Sequence, residues 1–207
     1  LIPLPARHDF ILASDECYSE IYCDEDKPPV GLLQAAQVAG NDDFDRCLVF
    51  HSLSKRSNAP GLRSGFVAGS SAVLQAFYRY RTYHGCAMSL AVQAASCVAW
   101  QDETHVVDNR RLYRQKFALT LDELKGSVDL SQPDGGFYLW PRVPIDDIEF
   151  ARSLMERENV CVLPGSYLGR FNAGQNPGTN RIRIALVTEP TECIEAAQRI
   201  KHYLQTI

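Results

Sequence analysis

Apolar residues are spaced in two ways along this chain, and the change from one to the other organises it. Phe10 to Ser14 and Cys47 to Phe50 are short apolar runs with no polar alternation, the signature of strands buried on both faces of a parallel sheet. Arg63 to Gly69 predicts a third strand, and 71–84 and 89–101 predict helices, the second apolar enough that burial on most sides is expected. Val106, Tyr113, Phe117, Leu121 and Leu124 then recur at helical spacing through 103–125. Beyond Asp134-Gly135-Gly136 the pattern predicts a strand at 137–140, a helix at 147–158, strands at 160–163 and 181–187, and a last helix at 190–204. Pro190 suits the first turn of that last helix. The stretch 171–180, rich in Gly and Asn, predicts an exposed loop.

This order predicts an α/β layer over residues 1–103, a long bridging helix at 104–125, and a small α+β domain over 126–207. With 207 residues, 45% of them hydrophobic, the chain is long enough to bury a sizeable core. A net charge of −4 supplies no basic field for nucleic acid, and no apolar run approaches the length of a bilayer span. Neither nucleic acid nor membrane is therefore an expected partner. Seven cysteines, an odd number without a Cys-x-x-Cys pair, fit a reducing cytoplasm, and no cationic-then-apolar leader follows Leu1 to suggest secretion. His51, His84 and the remaining histidines show no metal-ligand spacing, so no metal is expected.

The candidate chemistry lies in Ser52-Leu53-Ser54-Lys55-Arg56-Ser57-Asn58-Ala59-Pro60-Gly61-Leu62-Arg63-Ser64-Gly65, directly after an apolar run. Lys55 offers an amine to a carbonyl cofactor, while Ser52, Ser54 and Arg63 suit a phosphate dianion, the arginine through its planar fork of donors. A Ser-x-Ser-Lys string also occurs in surface loops with a solvated lysine. The first apolar run similarly delivers Asp15-Glu16-Cys17-Tyr18. Open α/β sheets bind ligands at the carboxyl ends of their strands, so both sets are expected to meet in one crevice. Asp15 as a helix cap is the bland alternative.

Asp15-x-x-Tyr18, Ser52-Leu53-Ser54-Lys55, Arg63 and Arg183 in Ile182-Arg183-Ile184-Ala185, in this order, resemble the fold-type I pyridoxal-phosphate aminotransferases of the aspartate aminotransferase class. Ala13 to Tyr22, Ser52 to Gly69, Tyr80 to Gly85 and Arg183 to Val187 look most like the bacterial N-succinyldiaminopimelate aminotransferases within that family. The resemblance covers essentially the whole chain. It implies part of a three-layer, mostly parallel cofactor-binding domain followed by the small domain, with pyridoxal 5'-phosphate as cofactor and a homodimer as the assembly. It further implies that Asp15 faces the pyridine nitrogen, Tyr18 the ring oxygen, and Arg183 the substrate α-carboxylate, with Lys55 moving the α-proton.

The implied reaction passes an amino group between N-succinyldiaminopimelate and a 2-oxo acid such as 2-oxoglutarate, in lysine biosynthesis. Other class I aminotransferases and carbon–sulfur lyases share these residues. Family members are longer, with further cofactor contacts ahead of the Asp15 strand, so a catalytically incomplete carboxyl-terminal part is the competing expectation. Tyr22 competes with Tyr18 as the functional phenol. Arg181 competes with Arg183, since the two share a face in a strand, and Arg56 is expected to be a surface cation.

Overall fold

The computed structural model describes all residues, 1–207, and the chain divides into two compact units, Leu1–Arg110 and Arg111–Ile207. The first holds α1 (Leu4–His8), β1 (Leu12–Asp15), α2 (Leu32–Val38), β2 (Cys47–Ser52), α3 (Leu53–Arg56), β3 (Gly65–Gly69), α4 (Ser71–Tyr83) and α5 (Leu90–Gln101). The long α6 (Thr104–Leu124) runs through the division between the units, which falls inside the helix rather than at its ends.

In the first unit the strand order is β1-β2-β3, with β1 parallel and β3 antiparallel to β2. The expected parallel character therefore holds for one of the two pairings. Cys47, Leu48 and Val49 of β2 are buried, as the unbroken apolar run required, whereas β1 buries none of its residues and Phe10 and Ile11 are exposed, because β1 is an edge strand paired only with β2. α2 was not foreseen: its seven residues, LLQAAQV, are too few for a clear helical period. Its start is fixed by Glu16, whose carboxylate accepts the Leu32 N–H at 2.7 Å and so satisfies a donor that Gly31, at the N-cap, does not.

The expected burial of α5 is not observed. Only Ser96 is buried, donating to the Val92 carbonyl and accepting from the Ser64 hydroxyl, while Leu90 is 83% exposed and Val98 68%. Apolar content measures what a helix gains when covered; whether another element covers it is decided elsewhere in the fold.

The second unit holds the rest of α6, β4 (Tyr138–Leu139), α7 (Asp147–Glu158), β5 (Leu163–Pro164), β6 (Ile182–Ala185) and α8 (Pro190–Leu204). Its sheet has the order β4-β6-β5, antiparallel throughout, with strands shorter than the apolar pattern suggested. Ile182 and Ile184 turn inward onto a core with Leu139, Leu154, Ala197 and Ile200, and each fully buried Ile or Leu contributes about 1.5–3 kcal/mol. Phe150 of α7 meets Tyr203 of α8 edge to face at 5.1 Å between ring centres.

Asp146 caps α7 by accepting the Ile148 and Glu149 N–H groups at 3.0 Å. Asp147, fully buried, accepts the N–H and hydroxyl of Ser166 and the N–H of Asn180 at 2.6–3.0 Å. The first helical residue of α7 thus ties down the turn after β5 and the residue that enters β6 by way of Arg181. Of the loop expected to be exposed over 171–180, residues 171–175 are exposed, whereas Gly178 is buried against the Gly165 backbone.

Candidate active site

β1, β2 and β3 meet at one end of the first unit's sheet. Asp15 pairs with Phe50 in register, Ser52 with Gly65, and a Cβ at Gly65 would run into the His51 carbonyl, so glycine is what permits this close pairing. Ser52 leaves β2 in an extended conformation and caps α3: its Oγ accepts the Ser54 N–H at 3.1 Å and lies 2.9 Å from Ser54 Oγ. Two hydroxyls are thereby held together in the turn that bears Lys55. The Lys55 ammonium sits 5.6 Å from the centre of the Tyr18 ring. Strand ends 35 or more residues apart in sequence therefore bring amine and phenol together, as the crevice rule expects.

Asp15 Oδ1 accepts the Cys17 N–H at 3.1 Å, which partly realises the cap-like alternative as a local turn with no helix after it. Hydrogen bonds from Cys17, the thiol first and then the N–H, hold the Asp15 carboxyl below its ordinary value, so it is an anion at neutral pH. Burial pushes the Cys17 thiol up to about 11, and the hydrogen bond and charge of Asp15 add to this against an opposing pull from Lys55. Cys17 is thus a neutral thiol within electrostatic reach of both Asp15 and Lys55. Sequence reading had passed over it as a spacer inside the Asp15 to Tyr18 motif.

Arg63 follows a single 3-10 turn, Pro60–Leu62, and adopts the left-handed region with φ 51°. That conformation is unusual for a long side chain and costs roughly 1–2 kcal/mol. The exposed side chain donates to the Pro60 carbonyl at 2.9 Å, using one of its five N–H groups, two residues before β3 begins beside Ser52.

The two competing phenols have different neighbours. The Arg110 guanidinium lies 4.5 Å from the Tyr22 ring centre and also pairs with Glu25 at 3.0 Å and Glu20 at 3.5 Å. Tyr22 therefore belongs to an ion-pair cluster, and Tyr18 is the phenol beside Lys55. Arg56 is not the expected surface cation. It is 4% exposed, donates to the Ala99 carbonyl at 2.9 Å, pairs with Glu103 and lies 5.1 Å from the Trp100 ring centre. In a one-turn helix, successive side chains point about 100° apart, so Lys55 and Arg56 take different surroundings.

Arg181 and Arg183 belong to the second unit and are separated by their contacts. Arg181 donates to the Trp140 carbonyl at 2.9 Å and lines a hollow of about 260 Å³ with Asp129, Pro133 and Tyr138. Arg183, opposite Leu163, stacks its guanidinium 4.5 Å from the Tyr138 ring centre and lines a different hollow of about 610 Å³ with Val160, Cys161, Glu192 and Arg199. A guanidinium beside a ring keeps its planar fork of donors, which pairs bidentately with a carboxylate.

The donor set suits pyridoxal phosphate. An amine, a carboxylate anion, a phenol and two hydroxyls at one sheet end, with the Arg63 guanidinium on the loop that enters β3, match an aldehyde, a protonated ring nitrogen, a ring oxygen and a phosphate.

Residues 1–200 match the family described as Aminotransferase class I and II. A solved aminotransferase from Neisseria meningitidis is 51% identical, with a TM-score of 0.90 over 97% of this chain and 51% of its own. A probable N-succinyldiaminopimelate aminotransferase from Thermus thermophilus is 29% identical, with a TM-score of 0.82 over 97% of this chain and 52% of its own. An LL-diaminopimelate aminotransferase from Aquifex aeolicus is 32% identical over 98% of this chain and 50% of the relative. The chain spans about half the length of the curated relatives it matches. With a family match over nearly its whole length, the chain belongs to the class I and II aminotransferases, a family that depends on pyridoxal phosphate.

Proposed function

We propose that the protein is the part of a pyridoxal-phosphate-dependent aminotransferase that carries the cofactor lysine, and that the enzyme moves an amino group between a diaminopimelate and a 2-oxo acid such as 2-oxoglutarate. The observation that carries this reading is Lys55 beside Tyr18 at the strand ends that also bear Asp15 and Ser52. The substrate class rests on the names of relatives, which include LL-diaminopimelate and N-succinyldiaminopimelate aminotransferases. N-succinyldiaminopimelate is the donor we favour.

When bound, pyridoxal phosphate supplies an aldehyde carbon and a ring that accepts an electron pair. In this reading Lys55 would hold that carbon, and its Nζ would take and return the substrate α-proton. Asp15 keeps the ring nitrogen protonated, which its low carboxyl value suits. Tyr18 donates to the ring oxygen, and Ser52, Ser54 and Arg63 hold the phosphate. Arg183 orients the substrate through its α-carboxylate. A homodimer belongs to this reading, supported by the exposed Tyr80 and Tyr83, which share one face of α4 that a second copy would cover.

The test offers the cofactor-loaded enzyme ¹⁵N-labelled N-succinyldiaminopimelate, LL-diaminopimelate and cystathionine, each with 2-oxoglutarate. Label appearing in glutamate from a diaminopimelate supports the proposal. Thiol release from cystathionine without labelled glutamate would assign a carbon–sulfur lyase instead.

A further inference from the structure

Lys55 lies in a helix of only four residues, too short to be rigid by its own hydrogen bonds. What holds that turn is the elbow between α5 and α6, which grips three consecutive residues. Asn109 Nδ2 donates to the Lys55 carbonyl at 3.1 Å and to the Arg56 carbonyl at 3.4 Å. Arg56 reaches the Ala99 carbonyl and Glu103. Ser57 Oγ lies 2.8 Å from His105 Nε2, and His105 Nδ1 lies 2.6 Å from Asp102 Oδ2. All of these residues belong to the first unit.

The hydrogen-bond roles follow from the chemistry. The His105 bond holds Asp102 down to about 2, so its carboxylate is an anion that only accepts. Nδ1 must therefore carry a proton, and Nε2 closes the chain with the Ser57 hydroxyl. The order Ser57, His105, Asp102 is that of a hydrolase triad. However, the Ser57 N–H is engaged by the Leu53 carbonyl and is not available as the oxyanion donor such chemistry requires. The trio is a strut: it fixes where α3 ends, and Asn109 adds a side-chain donor to the last carbonyls of that helix.

We propose that Asn109, with His105 and Asp102 behind Ser57, are positioning residues that aim Lys55 at the cofactor aldehyde by pinning the backbone of residues 55–57. The inference rests on Lys55 being the cofactor lysine.

The test titrates pyridoxal phosphate into the cofactor-free protein. Near-visible absorbance reports binding, and mass mapping after borohydride reduction compares adduct on Lys55 with adduct on Lys27, Lys116, Lys125 and Lys201. Asn109→Asp is isosteric but loses the amide donor, Asn109→Gln keeps it, and His105→Phe removes the strut. Thermal midpoints are recorded alongside, and binding is measured well below them. Asn109→Asp and His105→Phe are expected to lower the Lys55 preference about three- to tenfold, the worth of a hydrogen bond, with Asn109→Gln recovering most of it. A purely structural role would lower the midpoint and leave the preference of the folded protein intact. Unchanged preference in both variants overturns the positioning role alone. A wild-type protein with no preference for Lys55 overturns the cofactor-lysine assignment and the positioning role with it.

Discussion

The Lys55 ammonium lies 5.6 Å from the centre of the Tyr18 ring, while Tyr22, four residues on, is covered by Arg110 at 4.5 Å. One face of a short loop thus serves the amine and the other an ion-pair cluster. If Tyr18 donates to the anionic ring oxygen of the cofactor, it favours the deprotonated form. Tyr18→Phe is then expected to raise the pH midpoint of the bound cofactor's absorbance by about one unit, the size of one charge-assisted hydrogen bond. Tyr22→Phe is expected to leave that midpoint in place. The reverse result would exchange the two phenols.

Arg183 and Arg181 are separable by the same logic. Arg181 is committed to the Trp140 carbonyl, whereas Arg183 stacks on Tyr138. In the full-length enzyme Arg183→Lys keeps the charge and loses the fork, so kcat/KM for amino-acid donors is expected to fall by about tenfold or more with cofactor absorbance unchanged. Arg181→Lys is expected to change it by less than about threefold. Equal losses from both would remove the distinction.

Arg56 is a structural ion whose loss should be visible in stability. Arg56→Met removes the donor to the Ala99 carbonyl and leaves Glu20 and Glu103 without this partner. Denaturant unfolding is expected to show a loss of about 1–3 kcal/mol, chiefly from the Ala99 carbonyl left without its donor, since Glu103 and Glu20 are exposed enough to be solvated. A change within about 0.5 kcal/mol would return Arg56 to the surface role that sequence alone suggested.

Site chemistry was more legible in the sequence than were the struts around it. Lys55, Asp15 and Tyr18 each stand at or just beyond the carboxyl end of an apolar strand, so their meeting follows from sheet topology. Asn109 and His105 act on residues 54 and 48 positions away, through contacts that no periodicity encodes. Arg56 misled because its neighbours in sequence, Lys55 and Ser57, are polar, whereas its surroundings come from Ala99, Trp100 and Glu103. Exposure of α5 was likewise illegible, because hydrophobic content describes a helix and not what lies against it.

In the second unit Asp147 gives a pH prediction. Burial, the largest single influence, pushes its carboxyl up, and the bonds from Ser166 and Asn180 together outweigh it, leaving the group below its ordinary 3.8. A carboxyl lowered on folding stabilises above its unfolded value, so this contribution is present at neutral pH. It is lost as pH falls from about 3.8 through the lower folded value. Asp147→Asn is expected to cost about 2–3 kcal/mol at pH 7, since the amide turns a donor toward Ser166, and to flatten the acid limb of the stability profile. An acid limb identical to wild type would show that other carboxyls carry it.

The central claim is that Lys55 bonds the cofactor. Borohydride reduction of the pyridoxal-phosphate-loaded enzyme, followed by peptide mass mapping, tests it most directly. The account predicts one stable adduct, on the peptide carrying Lys55, and loss of near-visible absorbance in Lys55→Ala. An adduct on the Lys116 or Lys125 peptide, with absorbance surviving Lys55→Ala, would contradict it.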